Sequence, residues 1–169
     1  MNGLPECYKK KSDSFGWTTA TKNHWECKGF RLADIKEWEF AARAGEPFRY
    51  SGSNNYNDVA VYNIGAEPSP SCTKSPNKWE LCDMSGNLSE WVWDRDFETA
   101  EKLIVRLSTT LNGESNNKNS YGHIAKGGSF RDDDPRFLRI DNNPVYTIES
   151  GHFGLRVVRT IPNLRSDKQ

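Results

Sequence analysis

With 169 residues, the chain is the size of one domain and long enough to bury a sizeable core without covalent staples. Lys plus Arg and Asp plus Glu both number 23, so the net charge is zero and the basic footprint of a nucleic-acid binder is missing. No apolar run approaches the roughly 18 residues of a membrane span, which excludes insertion through an apolar helix.

Only 35% of the residues are apolar, but 12% are aromatic and six are Trp, so a few large rings must carry much of the core. The N-terminal stretch, Met1 to Lys11, lacks the apolar centre of a signal peptide. The expectation is a cytoplasmic chain, or a cell-surface or phage-borne one if this is a piece of a displayed protein. The four cysteines, Cys7, Cys27, Cys72 and Cys82, form neither a CxxC nor a zinc-type cluster. They read as buried thiols or as one structural disulfide, with a pair such as Cys7–Cys27 among the possibilities.

Residues 1–29 are polar and irregular, and Lys9-Lys10-Lys11 reads as a solvated turn. The first firm element follows Arg31. Asp34 with Glu37 forms a capping box, Ile35, Trp38 and Ala42 share one helical face, and Gly45 and Pro47 end the run; a helix is predicted over 35–43. From Tyr50 to Lys78 the chain is rich in Ser, Gly, Asn and Pro, hence loop, broken by a short apolar piece at Val59–Tyr62. Asp83-Met84-Ser85-Gly86-Asn87 has the residues of a tight turn, with Gly86 or Asn87 suited to positive φ. Glu90, Val92 and Asp94 then alternate with Trp91 and Trp93, the pattern of a half-buried strand. Residues 107–122 form another polar loop, and His123–Phe130 and Phe153–Arg159 read as short strands. No repeat and no internal boundary appears. The expectation is a single α+β domain, 1–169, with little regular structure and long, ordered loops.

Several of these segments resemble one known family. Gly29-Phe30-Arg31-Leu32 through Glu37-Trp38-Glu39-Phe40-Ala41-Ala42-Arg43-Ala44-Gly45, then Leu81-Cys82-Asp83-Met84-Ser85-Gly86-Asn87-Leu88-Ser89-Glu90-Trp91, Lys126-Gly127-Gly128-Ser129-Phe130 and Gly154-Leu155-Arg156 are similar, in order, to signatures of the formylglycine-generating enzyme (sulfatase-modifying factor) family. Gly3-Leu4-Pro5-Glu6-Cys7-Tyr8 also resembles a piece upstream of the family helix, which implies that the chain starts inside the family domain. The resemblance implies a C-type-lectin-like fold. It also implies where chemistry would sit. The family's enzymes carry two copper-binding cysteines just after the motif matching Gly127–Phe130, and those positions fall on Asp132 and Phe137. Neither supplies the thiolate that a cuprous ion favours, so copper and oxidase activity of the family type are not expected. The turn matching Asp83–Glu90 binds calcium in family enzymes. Carried across, the ligands are the Asp83 and Glu90 carboxylates and the Gly86 and Leu88 carbonyls, a hard-cation set. The competing reading is that Asp83 caps the turn and Glu90 pairs with an Arg or Lys.

The polar run between the two glycine motifs is the other candidate site: Arg131, Asp132, Asp133, Asp134, Arg136, Asp141, Asn142, Tyr146 and His152. Adaptable polar residues with an aromatic suit a contact surface. The frame resembles the variable proteins of diversity-generating retroelements, which are similar to formylglycine-generating enzymes without the catalytic cysteines. Adjacent carboxylates at 132–134 point apart and are poorly placed for acid–base catalysis. Arg139 reads as structural, a planar cation serving backbone carbonyls. The expectation is a monomeric, non-catalytic module that binds a protein or other macromolecule. The alternative is an oxidoreductase working without the usual cysteine pair.

Overall fold

The computed structural model describes residues 3–10, 17–65, 67–96, 122–146 and 151–161. The polar loop expected over 107–122 lies almost wholly outside them, as do residues 147–150 of the polar run between the two glycine motifs. The chain forms two compact units, one from Met1–Ala33 with Arg156–Gln169 and one from Asp34–Leu155.

In the first unit, β1 (Tyr8–Lys10) pairs antiparallel with β2 (Trp17–Thr19), and β3 (Phe30–Leu32) pairs antiparallel with β8 (Val157–Arg159). Lys9 and Lys10, expected in a turn, are exposed residues of β1. A disulfide joins Cys7 to Cys27, so one of the pairings left open by the sequence is realised. Gly29 is required beside it, because a Cβ there would collide with the Pro5 carbonyl and Cys7 Sγ. The Leu32 N–H donates to the Tyr8 hydroxyl at 2.7 Å, tying β3 to β1.

The second unit opens with α1 (Ile35–Arg43). Its start is the expected capping box: Asp34 Oδ1 accepts from the Glu37 N–H at 2.7 Å, and Glu37 Oε2 accepts from the Asp34 N–H at 3.1 Å. Ala44 turns left-handed at φ 49° and Gly45 follows at φ 80°, which ends the helix before Pro47. Trp38 and Ala42 are buried as expected, and Ile35 is half-buried. A four-stranded sheet follows in the order β6-β5-β4-β7, built from β4 (Ser89–Asp96), β5 (Gly122–Lys126), β6 (Val145–Tyr146) and β7 (Phe153–Leu155). β4 is antiparallel to β5 and parallel to β7, where Trp91 stacks on Phe153 with centroids 4.3 Å apart. The strand expected over His123–Phe130 stops at Lys126, because Gly127 and Gly128 adopt φ of 89° and 68° and turn the chain away. The run expected as one strand over Phe153–Arg159 is broken at Arg156 into β7 and β8.

The long loops are held by side chains acting on backbone. Asn77 Nδ2 donates to the Ala41 and Ala42 carbonyls, and its Oδ1 accepts from the Trp79 and Leu81 N–H groups. A second disulfide, Cys72–Cys82, closes the same loop. The expectation was buried thiols or one structural disulfide, and this second bridge goes beyond it. The apolar piece expected at Val59–Tyr62 is not itself an element: the short helix α2 (Tyr56–Val59) ends at its first residue, and Tyr56 packs edge-to-face on Tyr50 and on Tyr62.

Candidate functional site

The segment after β5 is fixed from below by Lys126. Its ammonium is wholly buried and donates to Glu39 Oε1 (2.8 Å), the Ile140 and Asn142 carbonyls (both 2.7 Å) and Asn143 Oδ1 (2.6 Å). It also lies 5.4 Å from the Trp38 ring centroid. Lys126 therefore does the work the sequence assigned to Arg139, serving carbonyls of the loop. Arg139 instead forms a two-pronged pair with Asp141, at 2.9 and 2.8 Å. A carboxylate two residues away reaches the guanidinium more readily than distant carbonyls do.

The three adjacent aspartates have three different jobs. Asp132 Oδ2 accepts from the Ser129 N–H (2.6 Å) and hydroxyl (3.0 Å), closing the turn after Gly128. Asp134 caps the 3₁₀ turn Pro135–Leu138, accepting from the Arg136 N–H at 2.9 Å and its Nε at 2.6 Å. Asp133 between them is exposed. Arg136 holds the Asp134 carboxyl below its ordinary range, and Arg139 does the same to Asp141. Asn142 donates its N–H to the Arg139 carbonyl and gives its own carbonyl to Lys126. Arg131 is exposed, with its guanidinium 5.4 Å from the ring centroid of the buried Phe130. His152 is half-buried against Phe153, and its carbonyl accepts from the Ser89 N–H at 3.0 Å. Burial lowers its pKa, while the nearby Asp132 charge raises it and Arg131 lowers it further. Tyr146 lies in β6, its backbone opposite His123.

Two residues that the sequence reading left out of the contact surface belong beside it. Ile64 is 52% exposed, on a stretch held to this segment by the Asn63 N–H on the Asp132 carbonyl and the Ile64 N–H on the Phe130 carbonyl. Phe137, named only as a family copper position, is 36% exposed. Its carbonyl lies 2.8 Å from where a Cβ on Gly128 would be, too close for any side chain there. The available signal was an aliphatic residue isolated in a polar, glycine-bounded loop.

The Asp83–Glu90 turn lies under this segment. Asp83, Gly86 and Asn87 all take positive φ, at 56°, 81° and 65°. The Gly86 N–H donates to the Gly127 carbonyl, the Asn87 N–H to the Val61 carbonyl, and the Ser85 hydroxyl to the Leu138 carbonyl. Asp83 Oδ2 accepts from the Cys72 N–H at 2.9 Å, and Glu90 Oε2 accepts from Trp38 Nε1 at 2.7 Å. A calcium ion held by Asp83, Glu90 and the Gly86 and Leu88 carbonyls would share both carboxylates with these donors, which a two-oxygen group permits.

The sulfatase-modifying factor enzyme 1-like domain matches residues 9–161. Treponema denticola variable protein 1 superposes with a TM-score of 0.61 at 23% identity, over 79% of this chain and 48% of that one. The crystal structure of CarF superposes at 0.59 and 25% identity, over 81% and 50%. The "Chaperone protein LppX" of Paenibacillus barcinonensis is 33% identical over 108 residues, which is 51% of this chain and 38% of that protein. The chain thus spans about half the length, or less, of the relatives it matches. The fold is α+β and C-type-lectin-like, with few helices, small sheets and long loops, and the chain belongs to the sulfatase-modifying factor enzyme 1-like domain family.

Proposed function

We propose that this domain is a non-catalytic recognition module whose contact surface is built on the 131–152 segment and whose ligand is a protein or other macromolecule. One observation carries the reading. At the two positions where the family's enzymes hold copper, Asp132 closes a turn on Ser129 and Phe137 presents an exposed ring. A capped carboxylate and a phenyl ring do not form a soft-metal site, whereas a ring on a rigid turn suits contact with a partner. The likeness in fold to a variable protein supports the same reading. The two disulfides support work in an oxidising compartment, at a cell surface or outside the cell, over the cytoplasmic default.

The test supplies copper and a cysteine-containing sulfatase peptide and follows aldehyde formation by mass. No aldehyde above the protein-free control is the expected result. Turnover that depends on the chain would overturn the reading in favour of an oxidoreductase.

A further inference from the structure

We propose that the partner bound at this surface is a protein segment in which an aliphatic or aromatic residue stands next to an Asp or Glu, received by Ile64, Phe137 and Arg131. The inference rests on the recognition reading above and adds the chemistry of the partner.

Most of the charge that looks available in the sequence is already committed. Asp132 is taken up by Ser129, Asp134 by Arg136 and Asp141 by Arg139. Arg131 is different: among the described residues no carboxylate lies within ion-pair distance of it. Its guanidinium rests over the Phe130 ring, and Phe130 is fixed in the interior. A guanidinium already held over a ring loses less freedom on binding than a free one, and its planar fork matches a carboxylate. Two exposed apolar residues lie on backbone tied to the same turn, Ile64 through its N–H on the Phe130 carbonyl and Phe137 through its carbonyl against Gly128. Ile64 sits between Asn63 at φ 49° and Gly65 at φ 86°, with its own N–H bonded to Phe130. Phe137 is carried by the one-turn helix that Asp134 caps. Arginine with aromatic and aliphatic anchors is the composition of interface centres.

The same surface disfavours polyanions. From 131 to 141 the aspartates outnumber the arginines by one, so a nucleic acid or an anionic membrane meets net repulsion, while a single carboxylate can reach Arg131.

The experiment selects a random peptide-display library on the immobilised full chain. Enriched sequences are made as labelled peptides and titrated by fluorescence anisotropy. Enrichment of an apolar residue within one or two positions of an acid is expected. Arg131→Ala, Ile64→Ser and Phe137→Ser should each weaken binding about tenfold or more, and Arg131→Lys should recover only part of the loss. Phe40→Ser, which removes a more exposed ring on α1, 67% against 36% for Phe137, should leave binding unchanged. All four positions are at the surface, and unchanged melting of the variants checks that they fold. Enriched peptides without an acid, or peptides that ignore Arg131→Ala and Ile64→Ser, would overturn the inference while leaving recognition standing. Selection of no peptide overturns it too, and if the chain also makes aldehyde, the recognition reading falls with it.

Discussion

Replacing Lys126 with Met is expected to destabilise the domain by about 3 kcal/mol, the lower end of the range for breaking a buried ion pair from one side. The magnitude comes from the four acceptors around the ammonium. The Ile140 carbonyl belongs to a buried residue and has no route to water, so losing its donor costs about 1–3 kcal/mol. Glu39 is 26% exposed at its side chain and can turn partly toward solvent, which keeps the charge penalty below that of a sealed pair. Methionine fills similar volume, so little of the loss is cavity. Desolvation of the ammonium, relieved in the variant, offsets part of the remainder. In urea unfolding the midpoint should fall with an unchanged slope, and the melting temperature should drop by roughly 6–12 °C. Adding Glu39→Gln to Lys126→Met should restore about 1 kcal/mol, because it removes the orphaned charge. A Lys126→Met variant within about 0.5 kcal/mol of the parent would refute the claim that this ammonium holds the 140–143 loop.

Four further outcomes follow. Gly86→Ala should cost about 3 kcal/mol or more, since Gly86 has φ of 81° and a Cβ there meets the Val61 backbone; a neutral effect in urea would contradict the close approach. His152 has its pKa lowered from 6.5, chiefly by burial. The folded state then binds fewer protons than the unfolded chain just below pH 6.5. Stability from this group is full above 6.5 and is lost as pH falls through the depressed folded value, and His152→Gln should flatten that part of a melting curve taken from about pH 8 to about pH 5. Calcium is expected to raise the melting temperature of the parent and not of Asp83→Ala; equal melting in calcium and in chelator would remove the metal from the turn. Replacing Cys7 and Cys27 with Ser should cost about 3 kcal/mol, and replacing Cys72 and Cys82 slightly less because the closed loop is shorter, 10 residues against 20. Urea midpoints that move for neither pair would show that the thiols are not bridged.

What could be read from the sequence was mostly local. Helix α1 is legible because Asp34, Glu37, Trp38 and Ala42 signal within one another's reach. The turn at 83–87 is legible because its residue types match its φ values. What escaped depends on distant partners. Lys126 looks like one more surface lysine until Glu39, 87 residues away in sequence, is brought to it. The parallel pairing of β4 with β7 joins Ser89 to Phe153 with no local mark in either strand. Ile64 could be seen as an oddity, but its place beside Arg131 depends on two backbone bonds across more than sixty residues.

The polar run itself shows how composition misleads at a site. Asp132, Asp133 and Asp134 are equivalent in sequence, and all three enter the contact surface on equal terms. In the fold, Asp132 and Asp134 hold the turn and the one-turn helix that carry the exposed groups, and Asp133 faces outward. Replacing all three at once therefore mixes loss of support with loss of contact, and a fall in stability would not argue against a binding role for the surface. The same geometry explains how the family frame can persist without thiolates at 132 and 137. The shape of the segment comes from Gly127, Gly128, Lys126 and the Ser129–Asp132 cap. None of these needs a metal. A carboxylate at 132 strengthens the turn through two charge-assisted bonds, and a ring at 137 is left to face whatever the surface binds.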